Sequence, residues 1–387
     1  MSRAVVIGAG PMGLEAALGL FERGFETTVL ERGRVGESLR RWGPSTRFFS
    51  PLGMNLSPRA KKVLGKALPP EDALLTGPEM AERVLEPLAA SPPLSGLVRT
   101  GTRVVAVGRA RLTRGEMAGH PLRAERPFRL LVETPSGEEV LEAEVVLDAS
   151  GVYGTPAAVG AGGVPARGER ALAGRLVRHL GALEDGLERL AGRDVLLVGH
   201  GHSVANALAL LARVHPAPRV TWATRSANRR PCVEVAFDPL PERQAVVARA
   251  NDLAAEPPAF LKVERRASVE AVAADNGCLE VTLSGGRGGR FDALVGLTGY
   301  RPDLSFLSEL ALEIGPSSEG PARLARAVSH VTDCLTPPKV REEDLLTGEP
   351  GFHFVGYKSY GRLTSFLLKT GQQQLESVLE LVRRRPS

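Results

Sequence analysis

The apolar positions of the chain fall into short continuous runs, and two of these runs lead into glycine-rich turns followed by alanine- and leucine-rich stretches. Residues 4–7 precede Gly8-Ala-Gly-Pro-Met-Gly13, and residues 195–198 precede Gly199-His-Gly-His-Ser203. Continuous rather than alternating apolar residues are typical of a strand that is buried on both faces of a parallel sheet. The pattern predicts an α/β fold with two strand–turn–helix units and two nucleotide-sized sites.

Shorter apolar runs around polar turns predict further strands at 102–107, 128–134, 140–147, 279–283, 291–297 and 352–356. Apolar residues at helical spacing predict a final helix over 364–384, with arginines in its last turn, where a helix favours positive charge. We interpret the glycine-rich stretches 160–163 and 285–289 as loops. The proline-rich segment 51–93 either contacts a substrate or forms a cap without chemistry.

The composition is that of a globular protein and narrows the classes of partner. Of the 387 residues, 43% are hydrophobic and 24% are charged, which excludes wholesale disorder. The net charge of +5 comes from 49 basic and 44 acidic residues scattered along the chain, so no nucleic-acid partner is indicated. No apolar stretch is long enough for a membrane span, and the glycines and Glu15 within 4–20 argue against a signal peptide. We expect a soluble, cytoplasmic protein.

Cysteine and histidine are too sparse to indicate a disulfide framework or a metal site. Cys232, Cys278 and Cys334 are far apart and form no CxxC pair. The seven histidines show no spacing typical of metal ligands, so we expect no metal. His200 and His202 stand at variable positions of the second turn, and we interpret them as bystanders rather than as bases.

The first turn has the residues that a dinucleotide requires. Gly8 allows a tight turn out of the strand, Gly10 lets the backbone approach a pyrophosphate, and Gly13 allows close packing of helix on strand. The N-terminus of the following helix attracts the phosphate charge. A second apolar run ends in Glu31, about 20 residues beyond the turn, where an acidic side chain binds a ribose diol. The alternative is a glycine-rich turn beside a surface glutamate.

The second turn is a looser version of the first. Gly199 and Gly201 are followed by Ser203, and Val204 stands where the third glycine of the tightest form would be. The spacing still predicts a dinucleotide turn.

A group of arginines follows the next predicted strand. That strand ends in Arg225, and Arg229 and Arg230 come shortly after it, so that arginine takes the place of the ribose-binding acid. A carboxylate would repel a 2′-phosphate, whereas a guanidinium can donate two charge-assisted hydrogen bonds to it. Such bonds contribute roughly 1.5–3 kcal/mol each, enough to select NADPH over NADH. The alternative is a solvated basic loop.

Two dinucleotide turns with opposite charges at their ribose ends suit a hydride donor paired with an electron acceptor. Three further stretches match a known pattern, namely Asp148-Ala-Ser-Gly-Val-Tyr-Gly-Thr-Pro156, Leu297-Thr-Gly-Tyr-Arg-Pro-Asp303 and Phe352-His-Phe-Val-Gly356. The first two are similar to the crossovers between the domains, and the third to the late strand beside the flavin, of the two-dinucleotide-binding flavoprotein superfamily. That superfamily includes flavin-containing monooxygenases, amine N-hydroxylases and thioredoxin-reductase-like enzymes, and the resemblance covers nearly the whole chain except 51–93.

The resemblance implies two Rossmann-like dinucleotide-binding domains, the second inserted into the first. The FAD-binding domain would comprise 1–158 and 296–387, and the NADPH-binding domain 159–295. The residues that it implies for FAD are Gly8, Gly10, Pro11, Met12, Gly13, Glu31, Arg32, Ser38, Leu39, Trp42, Val104, Ser150, Gly151, Gly299 and Gly356. Those that it implies for NADPH are Gly199, Gly201, His202, Ser203, Arg225 and Arg230.

The late loop departs from the superfamily at the flavin end. Many relatives have an aspartate directly after the late glycine, but here Tyr-Lys follows Gly356. Reduced flavin tends to be negative near N1 and O2, and positive side chains or a helix N-terminus favour that charge. We therefore expect Lys358, Arg362 and the helix start near Thr364 to cap the flavin ring. The alternative is a basic surface loop.

The chain has no CxxC dithiol to relay electrons, which argues against a thioredoxin-type reductase. The leading hypothesis is a monooxygenase-like enzyme that oxidises NADPH through FAD and acts on a small nucleophilic N or S substrate. The second hypothesis is an NADPH-dependent reductase of a disulfide, a quinone or a partner protein. The third is a non-catalytic nucleotide sensor. The sequence names no catalytic base, and it leaves a homodimer open.

Overall fold

Four β-sheets form the framework of the computed structural model, which describes residues 1–235, 238–329 and 340–384. In chain order they are β1 (Arg3–Ile7), β2 (Glu26–Leu30), β3 (Val98–Arg99), β4 (Arg103–Arg109), β5 (Phe128–Thr134), β6 (Gly137–Ala143), β7 (Val145–Asp148), β8 (Asp194–Val198), β9 (Arg219–Thr224), β10 (Leu261–Arg265), β11 (Val269–Asp275), β12 (Cys278–Leu283), β13 (Gly288–Phe291), β14 (Ala293–Gly296) and β15 (Phe352–Phe354).

Two parallel sheets are built from these strands. The first has the order β15-β7-β1-β2-β3 and the second the order β10-β9-β8-β14. The chain leaves the first sheet after β7, builds the whole second sheet, and returns to the first only with β15. The predicted fold class is confirmed: the molecule has two Rossmann-like domains, and the second is inserted into the first.

Each domain also carries a three-stranded antiparallel sheet, β4-β5-β6 in the first and β11-β12-β13 in the second. The predicted strand over 140–147 is two strands, because Glu144 interrupts it. Both the backbone N–H and the guanidinium of Arg3 donate to the Glu144 carboxylate. The predicted loop 285–289 is also partly wrong, since its last two residues begin β13.

The helices cover one face of each parallel sheet, and the antiparallel sheet of the same domain packs against the other face. The helices are α1 (Pro11–Glu22), α2 (Glu37–Arg40), α3 (Leu52–Asn55), α4 (Pro58–Leu64), α5 (Gly77–Met80), α6 (Glu86–Ala90), α7 (Leu180–Asp185), α8 (His202–Leu211), α9 (Pro241–Ala255), α10 (Ala322–Val328), α11 (Tyr357–Tyr360) and α12 (Leu368–Arg383). Helices α1 and α8 begin directly at the two glycine turns, as the sequence predicts.

Helix α12 begins at Leu368, four residues later than predicted. The residues before it are not helical, and Phe366 stacks on Tyr357, with ring centroids 5.4 Å apart and an angle of 13° between the rings. From its start, α12 packs against α1 at close range. A Cβ at Gly19 would lie 2.3 Å from the Leu379 side chain, so the two helices approach where Gly19 has no side chain.

A buried ionic cluster ties the antiparallel sheet of the first domain to the late part of the chain. Arg109 and Arg123 both donate to the Glu349 carboxylate, through Nε at 2.7 Å and 3.0 Å, and all three side chains are fully buried. The Ala311 N–H donates to the same carboxylate at 2.8 Å. Buried charges are tolerated only when they are paired and hydrogen-bonded in this way.

Neither a membrane helix nor a metal cluster is found in the described part of the chain. None of its helices combines the length and the hydropathy that crossing a bilayer requires. No group of three or more histidine, cysteine, aspartate or glutamate side chains within it could hold a metal ion. Cys232 and Cys278 are free thiols, and Cys334 lies outside the described residues.

Candidate functional site

The first glycine turn joins β1 to α1, and its geometry requires glycine. Gly8 has a φ of +101°, and a Cβ there would lie 2.8 Å from the Ala149 carbonyl oxygen. A Cβ at Gly13 would lie 1.9 Å from the Gly8 carbonyl oxygen, so α1 packs directly on the turn. Gly10 is the N-cap of α1 and borders open space. The turn therefore leaves room for a phosphate at the helix N-terminus.

Glu31 lies directly after β2, and its carboxylate accepts hydrogen bonds from the backbone on either side of it in space. Its Oε2 accepts the Ala9 N–H at 2.9 Å, and its Oε1 accepts the Gly33 N–H at 2.8 Å. Each oxygen keeps a further lone pair. A buried carboxylate held in this way has the capacity to accept the hydroxyls of a ribose diol, which is its predicted role.

The second glycine turn joins β8 to α8 and repeats this geometry. Gly199 has a φ of +128°, and a Cβ there would lie 2.4 Å from the Leu297 carbonyl oxygen. Gly201 is the N-cap of α8 and, like Gly10, borders open space. Val204 takes the place of the third glycine and is fully buried.

The strand registers correct the sequence interpretation of Arg225. Leu30 pairs with the last residue of β1, and Ala223 pairs with the last residue of β8. The position of Glu31 in the first unit is therefore that of Thr224 in the second, and Arg225 corresponds to Arg32. Thr224 is buried, and its hydroxyl accepts the N–H of Ser226 at 3.2 Å. The acid is thus replaced by threonine, and the arginine follows it.

Both turns open onto one cavity of about 790 Å³, within the range of small-molecule and cofactor sites. The predicted site residues that line it are Gly8, Gly10, Pro11, Met12, Glu31, Ser38, Leu39, Trp42, Ser150, Gly151, Gly199, Gly201, His202, Ser203, Arg225, Gly299, Gly356, Arg362 and Thr364. The structure therefore brings most of the predicted residues from both domains to a single space.

Five predicted residues do not line this cavity: Gly13, Arg32, Val104, Arg230 and Lys358. Gly13 acts through packing beneath the turn. The exposed Arg32 lies beside Gly154. The Arg230 guanidinium is exposed and forms ion pairs with Glu234 and Asp252, so it is not directed at the predicted phosphate. Val104 lies in β4, against the core of the first domain.

Lys358 is fully buried, and its placement differs from the predicted cap on the flavin ring. Its ammonium donates to the Ser150 hydroxyl at 3.0 Å and to the Asp303 carbonyl at 2.6 Å. It also lies 3.4 Å from Asp148 Oδ2, a buried atom with no hydrogen-bond partner in the described residues. The lysine compensates the charge of the buried aspartate and joins the crossover after β7 to the late loop.

Five aromatic residues, which we call the aromatic wall, line the same cavity. They are Trp42, Tyr153, Tyr300, Tyr357 and Phe366. Tyr153 contacts Trp42, Tyr300 and Tyr357 edge to face, with ring centroids 4.9–6.0 Å apart. Burial raises the pKa of Tyr300 and that of Tyr357 to about 12, and raises the pKa of Tyr153 further, so these phenols are neutral. Of these residues the sequence analysis named only Trp42, and it missed the other four because the members of the wall are distant in the chain.

Three histidines also line the cavity, all from the second domain: His179, His200 and His202. Burial lowers the pKa of each, and a nearby arginine lowers it further. His202 packs edge to face on Phe49 of the first domain, with ring centroids 5.4 Å apart. Phe49 belongs to residues 46–50, which line the cavity just before the proline-rich segment, and Asn55 within that segment lines it as well.

Two nucleotide turns on one cavity, in domains of which one is inserted into the other, define the fold of the two-dinucleotide-binding flavoproteins. A family model described as pyridine nucleotide-disulphide oxidoreductase matches residues 5–64, which include the first turn and Glu31. No curated protein matches the chain by sequence comparison.

Solved structures extend the likeness to the whole chain. The bacillithiol disulfide reductase of Bacillus cereus is 19% identical, with a TM-score of 0.69, and the match covers 100% of this chain and 99% of that one. The ornithine N-hydroxylase of Kutzneria, solved with FAD, NADP+ and ornithine, is 18% identical, with a TM-score of 0.63 and full coverage of both chains. A flavin monooxygenase mutant from Stenotrophomonas maltophilia is 20% identical, with a TM-score of 0.64 and coverage of 99% and 98%. The predicted resemblance to this superfamily is confirmed at the level of the fold.

Proposed function

We propose that the protein is an FAD-dependent oxidoreductase that oxidises NADPH. The observation that carries this proposal is the single cavity shared by the two dinucleotide turns. Two nucleotides held in one cavity can bring their reactive rings together, which is the requirement for hydride transfer. FAD supplies the redox chemistry when it is bound, and the protein supplies position and polarity.

The first turn fits FAD. Gly10 leaves open space at the N-terminus of α1 for the pyrophosphate, and Glu31 is positioned to accept the ribose hydroxyls. Gly151 and Gly299 lie at the crossovers, where a Cβ would also meet open space, so the backbone can lie against the cofactor. These residues bind and orient the group, and none of them transfers a proton.

The second turn fits NADPH. It carries no acid at the position of Glu31, and Arg225 lines the cavity one residue further along. Arg225 makes no ion pair with any described residue, so its guanidinium is available to a 2′-phosphate. We therefore expect the enzyme to use NADPH in preference to NADH.

FAD held by the first turn would supply electrons directly to a small acceptor. No cysteine among the described residues lines the cavity, which supports transfer without a thiol relay. We favour oxygen as the acceptor, with one oxygen atom added to a nucleophilic N or S of a small substrate and the other reduced to water. The neutral aromatic wall supports this assignment, because an apolar space excludes water from the reacting atoms.

A second candidate is direct reduction of a small disulfide or quinone. It is favoured by the likeness to the bacillithiol disulfide reductases of Bacillus cereus and Staphylococcus aureus, which matches nearly the full length of both chains. A homodimer and a location in the cytoplasm stay predictions.

One experiment separates these candidates. The purified protein is loaded with FAD and mixed with NADPH without oxygen, and the loss of flavin absorbance is recorded. Air is then admitted with a panel of amines and thioethers, and NADPH consumption, oxygenated product and hydrogen peroxide are measured. Product formed in proportion to NADPH supports the oxygenase, and anaerobic turnover with a disulfide or quinone supports the reductase. Tight NADPH binding without loss of flavin absorbance contradicts both the oxygenase and the reductase. The variant Arg230→Ala serves as a control, because Arg230 does not line the cavity.

A further inference from the structure

Trp222 contacts the backbone of the second nucleotide turn. It lies in β9, is fully buried, and its indole Nε1–H donates to the Gly199 carbonyl oxygen at 2.8 Å. We propose that Trp222 is a positioning residue, which holds the Gly199 peptide in the orientation that the turn needs to bind the pyrophosphate of NADPH. This inference rests on the NADPH-binding role proposed for the second turn.

The Gly199 residue is fixed on three sides. Its N–H donates to the Ala223 carbonyl at 3.1 Å, its Cα lies against the Leu297 carbonyl, and its own carbonyl accepts from the indole. In a trans peptide the C=O and the following N–H point in opposite directions, so the His200 N–H points away from Trp222. The N–H groups of residues 200–203 form no hydrogen bond within the described part of the chain. The indole bond therefore fixes the direction of unpaired donors that a phosphate can use.

The first turn shows why the second needs this bond. There the strand register places Val29 where the second unit has Trp222, and no side chain of the described residues donates to the Gly8 carbonyl. That carbonyl is instead packed against the α-carbon side of Gly13, where a Cβ would lie only 1.9 Å away. In the second turn Val204 fills the place of Gly13, so the carbonyl cannot take the same position. The Trp222 indole supplies the partner that the missing third glycine makes necessary.

The test is a variant that removes the indole N–H but keeps a buried ring, Trp222→Phe. The FAD-loaded protein is titrated with NADP+ by calorimetry, and FAD content and steady-state kinetics with NADPH are recorded in parallel. We expect the Kd for NADP+ to rise about tenfold, equivalent to about 1.4 kcal/mol, and the KM for NADPH to rise with it. The kcat at saturating NADPH and the FAD content are expected to stay within twofold of the native values.

Two further variants distinguish positioning from packing. Val220→Ala removes buried volume from the same strand and the same core without touching the turn, so it should lower thermal stability and leave the Kd for NADP+ unchanged. In the double variant Trp222→Phe with Val204→Gly, the carbonyl regains the position available in the first turn. Its Kd for NADP+ is expected to return to within about threefold of the native value.

A measurement on the native protein covers the case in which Trp222→Phe does not fold. The chain has two tryptophans, so the indole N–H region of an NMR spectrum holds two signals. The Trp222 signal should exchange slowly with solvent and should shift on addition of NADP+, with Trp42→Phe used for assignment. An unchanged Kd in Trp222→Phe, an equal loss in Val220→Ala, or no shift of the Trp222 signal overturns the role of Trp222. Absence of NADP+ uptake by the native protein contradicts the proposed function itself.

Discussion

The two nucleotide turns share one backbone plan, yet they are completed by different residues. In each, a glycine with positive φ follows the strand and a second glycine caps the helix. The first turn adds Gly13 beneath the helix and the Glu31 carboxylate, which accepts the Ala9 N–H. The second has Val204 and Thr224 at these positions.

The difference lies in where the charge is placed. At the first turn the proposed ribose-binding residue is the buried Glu31 carboxylate, which would favour a sugar with two free hydroxyls and repel a phosphate. At the second turn the buried side chain is an uncharged threonine, and Arg225 lines the cavity next to it. In the proposed function, one fold distinguishes two similar dinucleotides through two neighbouring positions after a strand.

The largest effect is expected from a substitution that adds a methyl group at Gly13, where α1 packs on the first turn. Gly13→Ala places a Cβ against the Gly8 carbonyl, so α1 must move away from the strand and the protein should lose FAD and about 3 kcal/mol of stability. The matched change Val204→Ala in the second turn should leave FAD content unchanged. Flavin absorbance after gel filtration and the denaturation midpoint measure both, and FAD retained by Gly13→Ala would contradict the assignment.

A smaller effect is expected at Arg225, which follows Thr224 in the second unit as Arg32 follows Glu31 in the first. Arg225→Ala should raise the Kd for NADPH about 10- to 100-fold, because charge-assisted hydrogen bonds to the 2′-phosphate are lost. The Kd for NADH should change less than threefold. Arg32→Ala, its counterpart in the first domain, serves as the control and should leave both constants unchanged. An equal loss for NADPH and NADH would remove the case for phosphate recognition.

The next comparison is between Glu31 and Thr224, which occupies the corresponding position in the second unit. Glu31→Gln replaces one acceptor oxygen by an NH₂ group, which cannot accept from the backbone or from a ribose hydroxyl, so the Kd for FAD should rise about tenfold. Thr224→Val removes a hydroxyl that accepts, among the described residues, only the Ser226 N–H at 3.2 Å, and it should change the Kd for NADPH less than threefold. Titration of the apoprotein with FAD and of the holoprotein with NADP+ measures the two changes.

The smallest effect concerns acidification, which should act on the second domain. His179 Nδ1 accepts the Ala182 N–H at the start of α7, and burial followed by the Arg41 charge lowers the pKa of His179. The unfolded chain therefore binds a proton at higher pH than the folded one, and this contribution to stability is present above about pH 6.5 and lost as the pH falls.

His179→Asn keeps a capping acceptor and removes the titration, so it should reduce the fall in melting temperature between pH 7.5 and 5.5 by about 1–2 °C. His120 makes the same kind of contact with the Leu122 N–H on an exposed loop, which makes His120→Asn the matched control. A pH dependence unchanged in His179→Asn would contradict the assignment.

The parts of the fold that were predictable from sequence are those set by local pattern. Continuous apolar runs before Gly8 and Gly199 were enough to predict two buried strands, two turns and two helices. These strands, turns and helices depend on residues close together in the chain. The insertion of one domain into the other was implied instead by the resemblance of 148–156 and 297–303 to the crossovers of the superfamily.

The rest depends on contacts between distant residues. Nothing local distinguishes Arg230 from Arg225, and only the carboxylates of Glu234 and Asp252 show that the first is engaged elsewhere. The burial of Lys358 depends on the charge of Asp148, more than 200 positions earlier. The offset between Glu31 and Arg225 appears only when the strands are paired. Charged side chains could be predicted as site residues from the sequence, whereas only the folded structure shows which of them already form ion pairs and which are free to bind a ligand.

The cluster of Arg109, Arg123 and Glu349 has a consequence for the order in which the newly made protein can mature. The ribosome completes both arginines long before it reaches the glutamate, and the entire second domain emerges in between. Until then two cations destined for the interior have no counterion, so the first domain cannot close around them. The inserted domain is thus free to fold first. In a chain that ends before residue 349, the first domain would stay incomplete and open to solvent.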